Sequence, residues 1–362
     1  MLNCLKLNTE MRKITAIVAA LMVSMAVWSE DIPSPTTAKK ANLKGNVLAC
    51  MHGKYDYKEN FGEPTTGRCQ FVNTTFYNEK GQSVLLRKLI PDGSNVYTYS
   101  FYFEYSESDT DTKVTSAGLQ VTNNSDYLSK YLAIANQANG QFEASMSSFP
   151  NLYGGCNPTD HSEFTYDKGN IMTVWSLFYN KYSNNKIKAK YVAKATDNNT
   201  YNCTIYKENG DAAERSTRTY TNGLLVKKIV DNPAQIGFKP VIPTAKNGTY
   251  KYDANGHVVS YAEQHKDGSN FKTTKWYYND KGDLTKITET SSYNNLEREA
   301  WIYTDYKYDE HGNWVYRCVG TDPTRLKYIE TRQIVYCGSS DEVKNNIATL
   351  IGSAGQTIKT AQ

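Results

Sequence analysis

The chain has 362 residues, of which 39% are hydrophobic and 12% aromatic, and 29 of these are tyrosines. This length excludes a disulfide-held miniprotein, and the aromatic rings supply the apolar surface that disordered chains lack. The 41 basic and 37 acidic residues leave a formal net charge of only +4. The composition therefore gives no reason to expect nucleic acid or an anionic membrane surface as a partner.

The N-terminal segment has the pattern of a secretory signal peptide. Arg12 and Lys13 precede an apolar run from Ile14 to Val27, and small residues follow. The run is shorter than the roughly 20 residues that a membrane-spanning helix needs. We therefore predict a signal peptide over residues 1–29, no transmembrane anchor after its cleavage, and a periplasmic or secreted bacterial protein. A disordered leader rich in Pro, Ser, Thr and Lys is predicted for residues 30–44.

Hydrophobicity then alternates with a period of two, which is typical of β-strands. The clearest run extends from Val96 to Ser106 and places five aromatic residues on one face. They are Tyr97, Tyr99, Phe101, Phe103 and Tyr105. The turn residues 91–94 precede this strand, so residues 83–90 are its predicted hairpin partner. The sequence leaves open whether such aromatic rows form a core or a binding face.

Two features divide the rest of the chain. Pro233, Pro240 and Pro243 interrupt the pattern and predict a boundary between a β region at 45–232 and a second at 245–337. After the second region, Ser339 and Glu342 form a capping box before apolar residues at helical spacing. A short helix is therefore predicted over residues 339–352.

A short motif recurs along the chain. Residues 250–256 read Tyr-Lys-Tyr-Asp-Ala-Asn-Gly and recur at 306–312, with looser copies at 277–282, 164–169 and 76–81. Two alternate tyrosines share one face of a strand, an Asp or Asn side chain bonds to the turn backbone, and Gly accepts a positive φ. Each copy therefore predicts a β-hairpin, and the chain is predicted to be mainly β, with consecutive antiparallel hairpins in an elongated twisted sheet.

These copies resemble the YD-repeat or RHS-repeat family, whose antiparallel hairpins carry a Tyr-x-Tyr-Asp-x-x-Gly signature. The resemblance covers residues 245–337 and is greatest to short, uncharacterised exported bacterial members. It assigns the repeat turns to Tyr252, Asp253, Gly256, Tyr278, Asp280, Gly282, Tyr308, Asp309 and Gly312. The large members enclose a toxin in a shell, and two or three good copies are too few to close one, so encapsulation is not expected here.

The cysteines predict a disulfide framework. Removing residues 1–29 leaves six, an even number in an exported chain, and so three disulfides are expected. The candidates are Cys50, Cys69, Cys156, Cys203, Cys318 and Cys337. Neighbour pairing closes the shortest loops, but the six cysteines could pair in fifteen ways. A hairpin turning at residues 322–323 would place Cys318 opposite about residue 328, which argues against pairing it with Cys337.

No sequence motif points to catalysis. Nucleophile elbows, phosphate-binding loops and paired metal-ligand motifs are absent. Cys50 and His52 would supply two metal ligands, but two more are not evident nearby. We predict no catalytic residue, no cofactor and no metal.

The sequence favours a non-enzymatic binding or interaction module of the envelope that uses a sheet face or an open edge. Its partner is unknown, with an envelope glycan or another protein as candidates and no nucleic acid. Two alternatives stay open, a glycan hydrolase with unidentified carboxylates and a purely structural surface protein.

Overall fold

The computed structural model describes residues 36–92, 95–109, 111–122, 157–167, 171–178, 187–197, 199–232 and 246–338. The predicted signal peptide, the predicted C-terminal helix and Cys156 lie outside these ranges. Within them, no helix has the length and apolar character needed to cross a membrane.

Eighteen strands make up most of the described chain. They are β1 (Val47–Asn60), β2 (Glu63–Tyr77), β3 (Ser83–Asp92), β4 (Asn95–Glu107), β5 (Asp111–Thr122), β6 (Asn157–Asp167), β7 (Met172–Phe178), β8 (Ile187–Ala195), β9 (Thr200–Lys207), β10 (Ala212–Thr221), β11 (Leu224–Asn232), β12 (Asn247–Tyr252), β13 (Val258–Gln264), β14 (Asn270–Tyr278), β15 (Leu284–Ser291), β16 (Glu297–Tyr308), β17 (Trp314–Gly320) and β18 (Leu326–Tyr336). Each strand pairs antiparallel with the strands before and after it in sequence. The prediction of a mainly β chain of consecutive antiparallel hairpins is confirmed.

The first and last strands also pair, and this closes the sheet. Cys50 of β1 lies opposite Thr75 of β2 on one side and opposite Ile334 of β18 on the other. No strand in the described part of the chain has a free edge, so the predicted open edge is wrong. The predicted boundary near the prolines does not split the sheet either, because Lys227 of β11 pairs directly with Thr249 of β12.

The hydrophobic core lies on the inward face of this closed sheet. Directly opposed residues share a face. One core is centred on Trp175 and Tyr191, which oppose each other across β7 and β8. A second includes Trp276 and Trp301, which both oppose Ile287 of β15. Of the aromatic row in β4, Phe101 and Phe103 are buried in the first core, so at these positions the row is core and not an exposed binding face.

The repeated motif forms hairpin turns with one shared geometry. Gly256, Gly282 and Gly312 have φ values of 84°, 79° and 79°, the left-handed region that glycine adopts without strain. At two of these turns an aspartate side chain accepts two backbone hydrogen bonds: Asp253 Oδ1 from residues 255 and 257, and Asp309 Oδ1 from residues 311 and 313. At the third turn the acceptor is Asn279, the residue before the predicted Asp280.

The motif tyrosines tie successive hairpins together. The hydroxyl of Tyr252 donates to the carbonyl of Leu225 in β11 at 2.7 Å, and that of Tyr278 donates to the carbonyl of Val258 in β13 at 2.9 Å. The hydroxyl of Tyr308 accepts a hydrogen bond from Asn279 Nδ2 at 2.8 Å. Each motif therefore closes its own turn and fixes the position of the preceding hairpin.

Candidate ligand-binding cavity

A cavity of about 390 Å³ lies inside the closed sheet. Its walls are the inward-facing side chains of β1, β2 and β15 to β18, together with residues 36–43 of the leader. Aromatic and charged side chains share the lining. The aromatic part includes Phe71, Trp301, Tyr303 and Trp314, and the charged part includes Lys54, Asp283, Arg317, Glu330 and Arg332.

The leader covers the end of the interior at which the repeat turns lie. Asn42 Nδ2 donates to Asp283 Oδ1 at 2.8 Å and to the carbonyl of Gly282 at 3.0 Å. Lys44 Nζ donates to the carbonyls of Lys281 and Gly312 at 2.9 and 3.0 Å. A leader segment of residues 36–44 is thus bonded to two of the turns that the repeats form.

The other end of the leader segment is anchored to the turn between β2 and β3. The Ala38 amide donates to the carbonyl of Gly81 at 2.8 Å, and the Ser83 amide donates to the carbonyl of Thr36 at 2.9 Å. Leu43 is buried and packs in a cluster with Cys50 and Tyr77. The prediction of a disordered leader is therefore wrong for residues 36–44, because Leu43 and Ala38 bury apolar surface and the turns accept the segment's polar groups.

An ion pair crosses the cavity wall between β17 and β18. Arg317 Nε and Nη2 donate to Glu330 Oε2 at 2.8 and 2.5 Å, and both side chains are 9% exposed. Burial by itself would raise the pKa of Glu330, but the charge of Arg317 and the proximity of His52 outweigh it and hold that pKa well below its usual range. Glu330 is therefore ionised at neutral pH.

His52 of β1 lies beside this ion pair. Its Nε2 is 3.6 Å from Glu330 Oε2, and its ring makes edge contacts with Phe71 and Trp314 at centroid distances of 5.6 Å. Burial lowers the pKa of His52, and Glu330 offsets this only in part. The imidazole is therefore neutral at pH 7, so the charges near β17 and β18 are set by arginine and glutamate.

Arg332 is a second cation in the cavity lining, and the residue is half-buried. Its guanidinium stacks over Trp314 at 3.9 Å, and Nη2 donates to the carbonyl of Ala41 at 3.4 Å. Its Nε and Nη1 atoms are shielded from solvent and have no hydrogen-bond partner among the residues that the structure describes. Two buried acceptors in the lining, Asp283 Oδ2 and Asn73 Oδ1, also lack a donor there.

Glu330 is not protonated as the general acid of a glycan hydrolase must be. A glycan hydrolase needs a carboxylic acid that is still protonated near neutral pH, and the pKa of Glu330 is shifted in the opposite direction. Within the described ranges, no three His, Cys, Asp or Glu side chains converge to hold a metal ion. The cavity offers instead fixed charges, unpaired hydrogen-bonding groups and aromatic walls, which are the features of a binding pocket.

The disulfide prediction is wrong for the cysteines that the structure describes. Cys50, Cys69, Cys203, Cys318 and Cys337 are free thiols. The strand register explains this. Cys50 lies opposite Thr75 and Ile334, Cys69 opposite Tyr55, Cys203 opposite Ala193 and Ser216, and Cys318 opposite Thr304 and Ile329, so none of these four faces another cysteine. Burial raises the pKa of Cys69 to about 11, so its thiol is protonated at neutral pH.

The sequence reasoning missed most of the cavity residues. It considered His52 only as a metal ligand beside Cys50, and it did not single out Arg317, Glu330 or Arg332. A signal was present in β18, where Glu330 and Arg332 share one parity with Tyr328 and Ile334. Two charged residues at alternate positions of a strand are normally read as a solvated face, and only the closure of the sheet turns that face inward.

Comparisons with known proteins reveal only remote similarity. No family model matches the chain, and no curated protein matches it. A porin-like protein from Bacteroides uniformis gives a TM-score of 0.28 at 9% identity, with 81% of this chain and 99% of that chain covered. A porin-like protein from Bacteroides vulgatus gives 0.24 at 10% identity, covering 79% and 98%.

A third structure, the Tc holotoxin pore of Photorhabdus luminescens, gives a TM-score of 0.21 at 11% identity. The match covers 76% of this chain but only 15% of the toxin chain. These scores are low, and the function is therefore argued from the residues of this chain.

Proposed function

We propose that this protein is a non-enzymatic binding module of the bacterial envelope that holds a small ligand in the interior cavity. The observation that supports this most directly is the set of buried, unpaired polar atoms on Asn73, Asp283 and Arg332, all of which line one cavity. Buried polar groups in folded proteins are nearly always hydrogen-bonded, so several in one cavity are typical of a site that a ligand completes.

The proposed binding site is the interior cavity and not the sheet face or open edge that the sequence favoured. An open edge is absent from the described strands, and much of the aromatic surface is core. The interior cavity has both the volume and the polar groups that recognition requires. The envelope location rests on the signal-peptide pattern of residues 1–29, and it predicts that the protein purified from its native cells lacks this segment.

A ligand panel with a cavity-filling variant tests the proposal. Thermal unfolding is measured with neutral sugars, acidic sugars, amino acids and inorganic phosphate at millimolar concentration, since a ligand that binds only the folded state raises the midpoint. Thr75 lines the cavity, whereas Thr66 is exposed near the other end of the same strand. Thr75→Phe fills the cavity, and Thr66→Phe is the matched control.

We expect at least one compound to raise the midpoint of the wild type and of Thr66→Phe but not that of Thr75→Phe. The proposed function is wrong if no member of the panel shifts the wild-type midpoint. It is also wrong if Thr75→Phe, folded as judged by circular dichroism, keeps the full shift.

A further inference from the structure

We infer that the ligand of this cavity is a sugar acid of monosaccharide size, that is, a carboxylate carrying several hydroxyl groups. The inference rests on the proposed function and deepens it by assigning the chemical class of the ligand. It is carried by three observations on the lining: a cation with unpaired donors, two unpaired acceptors and an aromatic wall.

The cation with unpaired donors is Arg332. Its Nε and Nη1 carry three N–H donors, and none of them has a partner among the described residues. Glu330, the nearest candidate counter-ion on the same strand, is already bonded by two nitrogens of Arg317. Asp283 accepts a hydrogen bond from Asn42 through Oδ1, and its Oδ2 does not bond to Arg332. Shielded guanidinium N–H groups without acceptors are unfavourable, and a bound carboxylate would accept their hydrogen bonds and add a balancing charge.

The unpaired acceptors exclude a simple inorganic anion. Asp283 Oδ2 and Asn73 Oδ1 are buried, since their residues are 4% and 7% exposed, and both require a donor. A fully ionised anion has only acceptors and would leave both oxygens unsatisfied. Hydroxyl groups donate as well as accept, so a hydroxylated acid satisfies Arg332 and these two oxygens at once.

The aromatic wall and the volume fit a single sugar ring. Phe71, Trp301 and Tyr303 line the cavity with apolar faces, and aromatic side chains with a few polar groups form the usual lining of small-molecule sites. The volume of about 390 Å³ is at the lower end of that range and accommodates one sugar ring. A neutral sugar would accept hydrogen bonds from Arg332 but would not balance its charge, which favours the acid.

Calorimetric titration with glucuronate tests this inference, with glucose as the neutral probe of the same ring size and sulfate as the anion without hydrogen-bond donors. The variant is Arg332→Met, which keeps an unbranched apolar side chain but removes the guanidinium group and its charge. Arg325→Met is the matched control, because Arg325 is 78% exposed and pairs with Asp322 outside the cavity.

We expect glucuronate to bind at least tenfold more tightly than glucose or sulfate. Arg332→Met should reduce glucuronate affinity at least tenfold, whereas Arg325→Met should leave it unchanged. Because Arg332→Met removes shielded N–H groups that have no acceptor, it should unfold at the same temperature as the ligand-free wild type or at a higher one, which separates lost binding from misfolding.

Three outcomes would overturn the inference: no binding of glucuronate, equal binding of glucose or sulfate, or full glucuronate affinity in Arg332→Met. If a neutral compound, and no acid, raises the unfolding midpoint of the wild type but not that of Thr75→Phe, the proposed function is supported and the assignment of an acid is wrong. If no compound in the panel raises the unfolding midpoint of the wild type, both the proposed function and the assignment of the ligand class are wrong.

Discussion

The pair formed by Arg317 and Glu330 shows how a charged group is kept inside this fold. Two nitrogens of Arg317 contact one carboxylate oxygen of Glu330, and the guanidinium also stacks over Trp314 at 4.1 Å. Desolvation of both charges is costly, so the pair need not add to stability relative to an apolar pair. Removing one partner is different, because it leaves the other charge buried alone.

Glu330→Gln is therefore expected to destabilise the protein by about 3–5 kcal/mol, the range for breaking a buried ion pair. Urea unfolding at pH 7 measures the change. Glu107→Gln is the control, since Glu107 pairs with Lys80 at the surface and the substitution should leave the free energy of unfolding nearly unchanged. Equal unfolding midpoints for Glu330→Gln and the wild type would show that Arg317 can stay buried without this carboxylate at no cost in stability.

The same variant gives the pH dependence of this interaction. The pKa of Glu330 is lowered in the folded state from its usual value of 4.5, so the folded protein binds this proton more weakly than the unfolded chain. The stabilisation is therefore complete above pH 4.5 and is lost as the pH falls towards the folded pKa. The difference between wild type and Glu330→Gln should accordingly shrink when unfolding is repeated in progressively more acidic buffer.

At the scale of the elements, the hairpin turns depend on one side-chain acceptor each. In the turn between β14 and β15, Asn279 Oδ1 accepts from the amides of Lys281 and Asp283, and its Nδ2 donates to Tyr308. The neighbouring Asp280 is exposed. The two residues are adjacent and both polar, so they form a matched pair for testing which one closes the turn.

Asn279→Ala is expected to lower the free energy of unfolding by about 1–3 kcal/mol, because two backbone donors lose their acceptor. Asp280→Ala should have no measurable effect. Thermal or urea unfolding of the two variants side by side provides the measurement. If Asp280→Ala proves the more damaging substitution, the turn is closed differently from the arrangement described above.

The hairpins were predictable because their signals are local. Tyr, Asp or Asn, and Gly recur within seven residues, and each has a backbone reason for its position, so the turns that follow β12 and β16 can be predicted from the sequence alone. The acceptor in the third copy was assigned one residue too late, to Asp280, because aspartate is the family's usual residue there. The cysteine pairing failed for a related reason, since loop length was considered for Cys50 and Cys69 whereas register decides it.

At the scale of the whole molecule, closure of the sheet was not predictable from local patterns. β1 and β18 are separated by nearly the whole described chain, and a strand that pairs on both sides has the same alternation as one that pairs on one side. The inward charges of β18 could not be recognised for the same reason. Closure is what converts a solvated-looking face into the wall of a cavity, and the proposed function depends on it.

Amide hydrogen exchange tests the closure directly. Successive N–H groups of an antiparallel strand point to opposite neighbours, so an edge strand protects only every second amide. In the closed sheet β1 is paired with β2 and with β18, and consecutive amides from Cys50 to Lys54 should all exchange slowly. The internal strand β15, paired with β14 and β16, provides the reference within the same protein. Alternating fast and slow exchange along β1, beside uniform protection in β15, would mean that the sheet is open between β1 and β18 and that the cavity lacks its wall.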